Sequence, residues 1–133
     1  MVRGDAAGVT IGAGANVQDH VVIQTTKASG ATIGANVTIG HNAVLTGCTV
    51  GEGCLIGMGA VVGEGAVVEA HTMVAAGAVL ASGAVATGKK LWAGNPAKAV
   101  RDLSAKELAQ LPFQADEYCK LAEKHSAAVR ALQ

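Results

Sequence analysis

From position 11 to position 80 an aliphatic residue returns at nearly every sixth place: Ile11, Val17, Ile23, then Ile33, Ile39, Leu45, and after one five-residue step Val50, Ile56, Val62, Val68, Val74 and Leu80. Two places before each stands a small or β-branched residue or a cysteine: Val9, Ala15, Val21, Ala31, Val37, Ala43, Cys48, Cys54, Ala60, Ala66, Thr72 and Ala78. A spacing of two puts both members on one face of a strand. Three places after the aliphatic residue comes a residue that tolerates positive φ: Gly14, Asn36, Asn42, Gly53, Gly59, Gly65, Gly77 and Gly83, with His20 and His71 in the same slot. That slot is the turn.

Strands of a few residues, turned at every sixth position, describe a triangular coil of about 18 residues, with coils stacked at about 4.8 Å. The pattern predicts an all-β fold, a left-handed parallel β-helix of hexapeptide repeats, followed by a C-terminal α-helix. This architecture is the known exception to right-handed crossover. The segment Gln24 to Gly30 breaks the period and reads as a protruding loop between coils. The repeat fades near Val85, and Leu91 to Leu103 reads as a non-repeating exit. The layout is one domain: β-helix over 1–92, exit over 93–103, helical tail over 104–133. Ser104 and Glu107 have capping-box spacing at the start of the tail, and Pro112 reads as a restart of that helix. Beyond it Tyr118, Leu121, His125, Val129 and Leu132 form one apolar-leaning stripe, with Asp116 and Lys120 paired on the wet face. The stripe predicts packing on the side of this or a neighbouring β-helix. The first residues begin mid-coil, leaving a parallel edge for a partner or further residues to cover.

Composition narrows the partners. Ten Lys and Arg balance ten Asp and Glu, and the aromatics are Trp92, Phe113 and Tyr118 alone. A neutral chain without stacking platforms is a poor nucleic-acid binder. Ala28–Gly51 and Ala70–Gly88 contain no charged residue and are long enough to span a bilayer. Both are studded with Gly, Thr, Asn or His, so neither reads as a membrane span. No signal peptide is read at Met1-Val2-Arg3-Gly4-Asp5. Three cysteines fit neither a disulfide framework nor paired zinc spacing, and the reading is a reducing compartment.

Several segments taken in order carry a resemblance: R-G-D (Arg3 to Asp5), I-G-A-G-A-N-V-Q-D (Ile11 to Asp19), V-T-I-G-H (Val37 to His41), G-C-T-V-G (Gly47 to Gly51), I-G-M-G-A (Ile56 to Ala60), M-V-A-A-G (Met73 to Gly77) and W-A-G-N-P-A-K (Trp92 to Lys98). Together they resemble the γ-class carbonic anhydrases, most closely the carbonic-anhydrase-like subunits on the matrix side of mitochondrial complex I in plants and algae. Those subunits also end in a Y-x-x-L-A-x-x-H helix, here Tyr118 to His125. The hexads and the G-N-P-A-K exit are shared with acyltransferases; N-V-Q-D together with T-I-G-H is the more specific part.

The resemblance implies a trimer in which three histidines hold zinc between subunits, the first and last from one subunit and the middle one from its neighbour. Carried onto this chain, the positions are Gln24, Thr46 and His41. An amide and a hydroxyl are poor zinc ligands, and without the metal no bound water is brought to a pKa of roughly 7 for attack on CO₂. The implied role is a non-catalytic structural subunit, holding no cofactor by itself, in a heterotrimer with homologous subunits on complex I membrane-arm subunits, in mitochondria on the matrix side of the inner membrane. One alternative is a carbonate dehydratase working through Zn²⁺ sites shared with histidine-complete partners, to which His41 contributes in trans. Another is a hexapeptide acyltransferase with a histidine base, against which stands the lack of a long acceptor-binding insertion.

Family-equivalent positions also assign Arg3 and Asp5 to the trimer interface, and Gln18 and Asp19 to the water and proton network of the site. The plainer reading of the first two is an ion pair at a coil corner. His20 and His71 are read as turn residues, His125 and Trp92 as packing residues, and Cys48 and Cys54 as core filler, with no role assigned to Cys119. Gly12, Gly34, Gly40, Gly51, Gly57 and Gly63 follow inward aliphatic residues and are corner glycines, since no strand-loop-helix context makes them phosphate loops.

Overall fold

The computed structural model describes residues 1–132, and they form the stacked coil that the repeat predicts. The first coil carries β1 (Val2–Arg3), β2 (Val9–Ile11) and β3 (Asn16–Val17), and the second β4 (Val22–Gln24), β5 (Ala31–Ile33) and β6 (Thr38–Ile39). The third carries β7 (Val44–Thr46), β8 (Thr49–Val50) and β9 (Leu55–Ile56), and the fourth β10 (Val61–Val62), β11 (Val67–Val68) and β12 (Met73–Val74). The fifth carries β13 (Val79–Leu80), β14 (Val85–Ala86) and β15 (Lys90–Gly94), after which come β16 (Ala97–Asp102) and α1 (Ala105–Ala131). Every third strand pairs in parallel, giving the faces β1-β4-β7-β10-β13, β2-β5-β8-β11-β14 and β3-β6-β9-β12-β15, the last extended by antiparallel β16. The fold is a left-handed parallel β-helix with one C-terminal helix.

The core is one stack of inward side chains. From Ile23 to Leu80 each sixth-position aliphatic residue is buried, as is its partner two places earlier from Val21 to Ala78. In the first coil Ile11 and Val17 occupy the same slots yet are 40% and 37% exposed, because no coil lies beneath them. At the far end the repeat runs further than the sequence reading placed it. Ala86 stacks on Val68 and Trp92 on Val74, so the sixth-place slot continues through an alanine and a tryptophan. Trp92 lids the core, its indole N–H donating to Thr87 O at 3.1 Å.

Three other expectations change. The exit over 93–103 is half of a β-hairpin, and the boundary after residue 92 falls inside β15. Gln24 belongs to β4, where Val22–Gln24 pairs with Val44–Thr46, so the loop begins at Thr25. Pro112 lies within one continuous 27-residue helix instead of restarting it; proline lacks one backbone donor, and the rest of the ladder together with the docked face carries the helix past it. The cap at Ser104 and Glu107 forms as read, with Glu107 N–H donating to Ser104 Oγ and Ser104 N–H to Glu107 Oε1.

The docked face of the helix is not the expected stripe. Leu111 and Ala115 are the buried residues, and Cys119, given no role in the sequence reading, points its thiol at Gly14 O, 3.5 Å away. Leu121, Val129 and Leu132 are exposed. A helix of this length spans about 40 Å, more than its own coil stack engages. Gln133, the end of the tail as read, lies outside the described residues.

Candidate functional site

Register pairing puts Gln24 directly above Thr46 on one face of the coil. Their side chains meet: the Gln24 amide Nε2 donates to Thr46 Oγ1 at 3.1 Å. Both are half-buried. The two positions that the resemblance makes a ligand pair are therefore neighbours in space, on the face built from β4 and β7.

His41 stands elsewhere, in the turn between β6 and β7. Its Nδ1 accepts the backbone N–H of Asp19 from the coil below at 3.2 Å, while Asp19 O accepts the N–H of Asn42 at 3.0 Å. The Asp19 peptide is thus clasped on both sides by the His41–Asn42 corner. Beside it, Gln18 donates to Asn16 Oδ1 and Asn16 to Thr38 Oγ1, a ladder of amides that joins the first two coils.

Between this face and α1 runs a groove of about 410 Å³, floored by Leu55, Ile56 and Met58 and walled by Gln18, His41, Gln114 and Tyr118. A second recess of about 250 Å³ continues it past Asn16, Asp19 and His125. The structure brings Gln18, Asp19 and His41 together and leaves Gln24 and Thr46 on the adjacent face. Sequence reading did not place Gln114 or Met58 here, and it took His125 for a packing residue. His125 is exposed and lines the recess, because the helix crosses the face on Leu111 and Ala115 instead. Nothing local in the sequence gives the crossing angle.

Arg3 and Asp5 form an ion pair, Nη2 to Oδ2 at 2.9 Å, and both are exposed. The Arg3 guanidinium hydrogen bond holds the Asp5 carboxyl below its usual range. His20 and His71 have φ of 61° and 58°, as turn residues should. Cys48 and Cys54 are buried, and burial pushes both thiols up to about 11, so they are inert filler.

Zinc fits this donor set poorly. The Gln24 amide is turned to Thr46, leaving one carbonyl and one hydroxyl oxygen where the metal wants imidazole, thiolate or carboxylate. Among the described residues no three His, Cys, Asp or Glu side chains lie together as a metal site would require. The same groups would serve a general base no better. A backbone N–H always donates, so Nδ1 of His41 is the ring's acceptor and a neutral ring then carries its proton on Nε2.

Residues 47–82 match the bacterial transferase hexapeptide family, described by six repeats. No curated protein matches the chain. Among solved structures, a hexapeptide transferase family protein from Anaplasma phagocytophilum is 38% identical, with a TM-score of 0.89 over 92% of this chain and 72% of that one. A Bacillus cereus protein assigned provisionally as an acetyltransferase has the same TM-score at 23% identity, over 96% of this chain and 77% of its own, and so shares the fold. The perosamine N-acetyltransferase of Caulobacter crescentus, as an H141N mutant with CoA and GDP-perosamine, is 29% identical with a TM-score of 0.54, over 76% of this chain and 53% of that one. With a relative 38% identical over most of both lengths, and the repeat that defines the group built into its core, the chain belongs to the hexapeptide transferase family.

Proposed function

We propose that the chain is a non-catalytic, γ-carbonic-anhydrase-like structural subunit of a trimer. The observation that carries this reading is the Gln24–Thr46 hydrogen bond at paired register. It fills, with two groups satisfied by each other, the place where the resembled family keeps two of its three ligands. In this reading the trimer is mixed with homologous, histidine-complete subunits and docks on the membrane arm of mitochondrial complex I, on the matrix side. No helix among the described residues is long and apolar enough to cross a membrane; in this reading the complex I subunits hold the chain at the membrane. A Zn²⁺ site shared with such a partner would need His41 to release Asp19 N–H and expose a lone pair on Nε2.

A second reading, acyl transfer from CoA, has the names of the relatives in its favour. The groove could accept an extended ligand, but with Nδ1 taken by Asp19 N–H a neutral His41 presents a proton, not a lone pair, on Nε2. The test is a trimer assembled from this chain alone, purified and analysed for bound metal, CO₂ hydration and binding of acetyl-CoA. The structural reading expects none of the three, and expects Gln24→His with Thr46→His to gain metal. Acetyl-CoA binding at micromolar concentration would overturn it in favour of the transferase, and stoichiometric zinc in the unaltered trimer in favour of the hydro-lyase.

A further inference from the structure

The formal neutrality of the chain conceals a separation of charge along the stack. Residues 1–88 carry five Asp and Glu against Arg3 and Lys27, while residues 89–107 carry five Lys and Arg against Asp102 and Glu107, and the rest of the helix balances three against three. The excess cations sit at the end lidded by Trp92, on the β15–β16 hairpin and the start of α1. Lys90 is paired with Asp102 at 2.5 Å and Arg101 with Glu107 at 2.6 Å. Lys89, Lys98 and Lys106 are exposed and have no acidic partner among the described residues.

At the same end β16 is the outermost strand of its face. It pairs with β15 alone, so alternate N–H and C=O groups along it point away from the stack, with no backbone partner among the described residues. Lys98 lies near one end of this edge; at the other, Leu103 N–H donates to Lys89 O and α1 opens with Lys106 in its first turn. Val100, skipped in the pairing register, is 61% exposed between them. A second copy is a poor match for the edge, because β16 centred on itself sets Lys98 against Arg101, and opposed like charges destabilise a strand pair.

We propose that β16 takes an added strand from an acidic partner. The strand is an extended segment of about six residues whose backbone pairs with the open edge. Its carboxylates meet Lys98 at one end and Lys89 and Lys106 at the other, with an apolar residue over Val100. The proposal rests on neither the trimer nor the metal question, since the edge lies beyond the fifth coil, whereas Gln24 and Thr46 lie in the second and third.

The experiment titrates a labelled, end-capped heptapeptide alternating Glu and Val into the wild-type chain, with anisotropy for affinity and amide exchange for location. Expected are saturable binding that weakens with salt and slower exchange along β16. Neither a Lys/Val peptide nor the Glu/Val peptide N-methylated throughout, which keeps its charge but has no strand donor, should bind. Lys89→Glu with Lys98→Glu, shown folded by circular dichroism, should weaken binding about tenfold. Equal binding of the N-methylated peptide would reduce the site to charge attraction and overturn strand addition, as would failure of the unmodified peptide to bind. Binding to phosphatidylserine vesicles but not to the peptide would assign the basic end to a membrane surface and overturn the proposal. Every one of these outcomes leaves the structural-subunit reading where it stands.

Discussion

Gly57 and Gly59 lie two residues apart on one corner and are required for different reasons, which makes them a measure of how the coils are held. A Cβ on Gly57 would stand 2.5 Å from Ala76 N, 2.7 Å from Ala75 C and 2.8 Å from Val74 O, all backbone of the next coil. Restoring ordinary contact at 3.4 Å means opening the corner by about 0.9 Å. That gap would stretch the Gly57 N–H to Val74 O bond beyond useful length from its present 2.8 Å. Overpacking costs about 1–3 kcal/mol and the lost bond about 1 more, so Gly57→Ala is expected to cost about 3 kcal/mol. Gly59 has φ of +69° and open space where its Cβ would go. Gly59→Ala pays only the left-handed penalty of about 1–2 kcal/mol. Urea unfolding of both variants, read by circular dichroism with the slope compared, measures the difference. If Gly59→Ala were the more damaging, close coil stacking would not be what selects glycine at the corner, and the same reasoning at Gly12, Gly34, Gly40, Gly51 and Gly63 would fail with it.

Leu111→Ala removes a buried anchor of α1 and is expected to cost about 2–3 kcal/mol, exposing the tail to limited proteolysis while the β-helix core keeps its slow amide exchange. Cys48 and Cys54 titrate near 11 when folded, against an ordinary 9.0. The folded state then holds protons that the unfolded chain releases, so stability should fall as pH rises from about 9 to 11, and serine at either position should change that slope in a pH series of urea melts. Cys119, only partly covered, should alkylate in the native protein well before the other two, as peptide mass spectrometry would show. Glu107 is held down to about 2 by Arg101 and Ser104. Its support of the helix start is present above an ordinary 4.5 and should be lost as pH falls toward 2, seen as faster exchange of the first-turn amides. Ser104→Ala should weaken the same end by about 1 kcal/mol at neutral pH.

The repeat was legible to the residue because a triangular coil asks the same question at every sixth position. Only a side chain that fills the axis answers at Ile39 or Val62, only a residue at ease with positive φ answers at Asn42 or Gly65, and each answer is local. Charge neutrality and missing stacking groups likewise needed no structure. What the linear pattern could not carry was any feature set by the third dimension of the stack. Trp92 keeps the hexad although it looks like an exit residue, because its partner is Val74 in the coil below. Leu111 and Ala115, rather than the more apolar-looking stripe at Leu121 and Val129, became the docked face, since the angle at which a helix leaves a hairpin is fixed by packing and not by periodicity. The ligand-equivalent residues divide in the same way. Gln24, His41 and Thr46 could be named from motifs in the sequence, but the direction of their hydrogen bonds depends on which backbone and hydroxyl groups the next coil places beside them, and that decides whether a histidine is a ligand, a base or a donor.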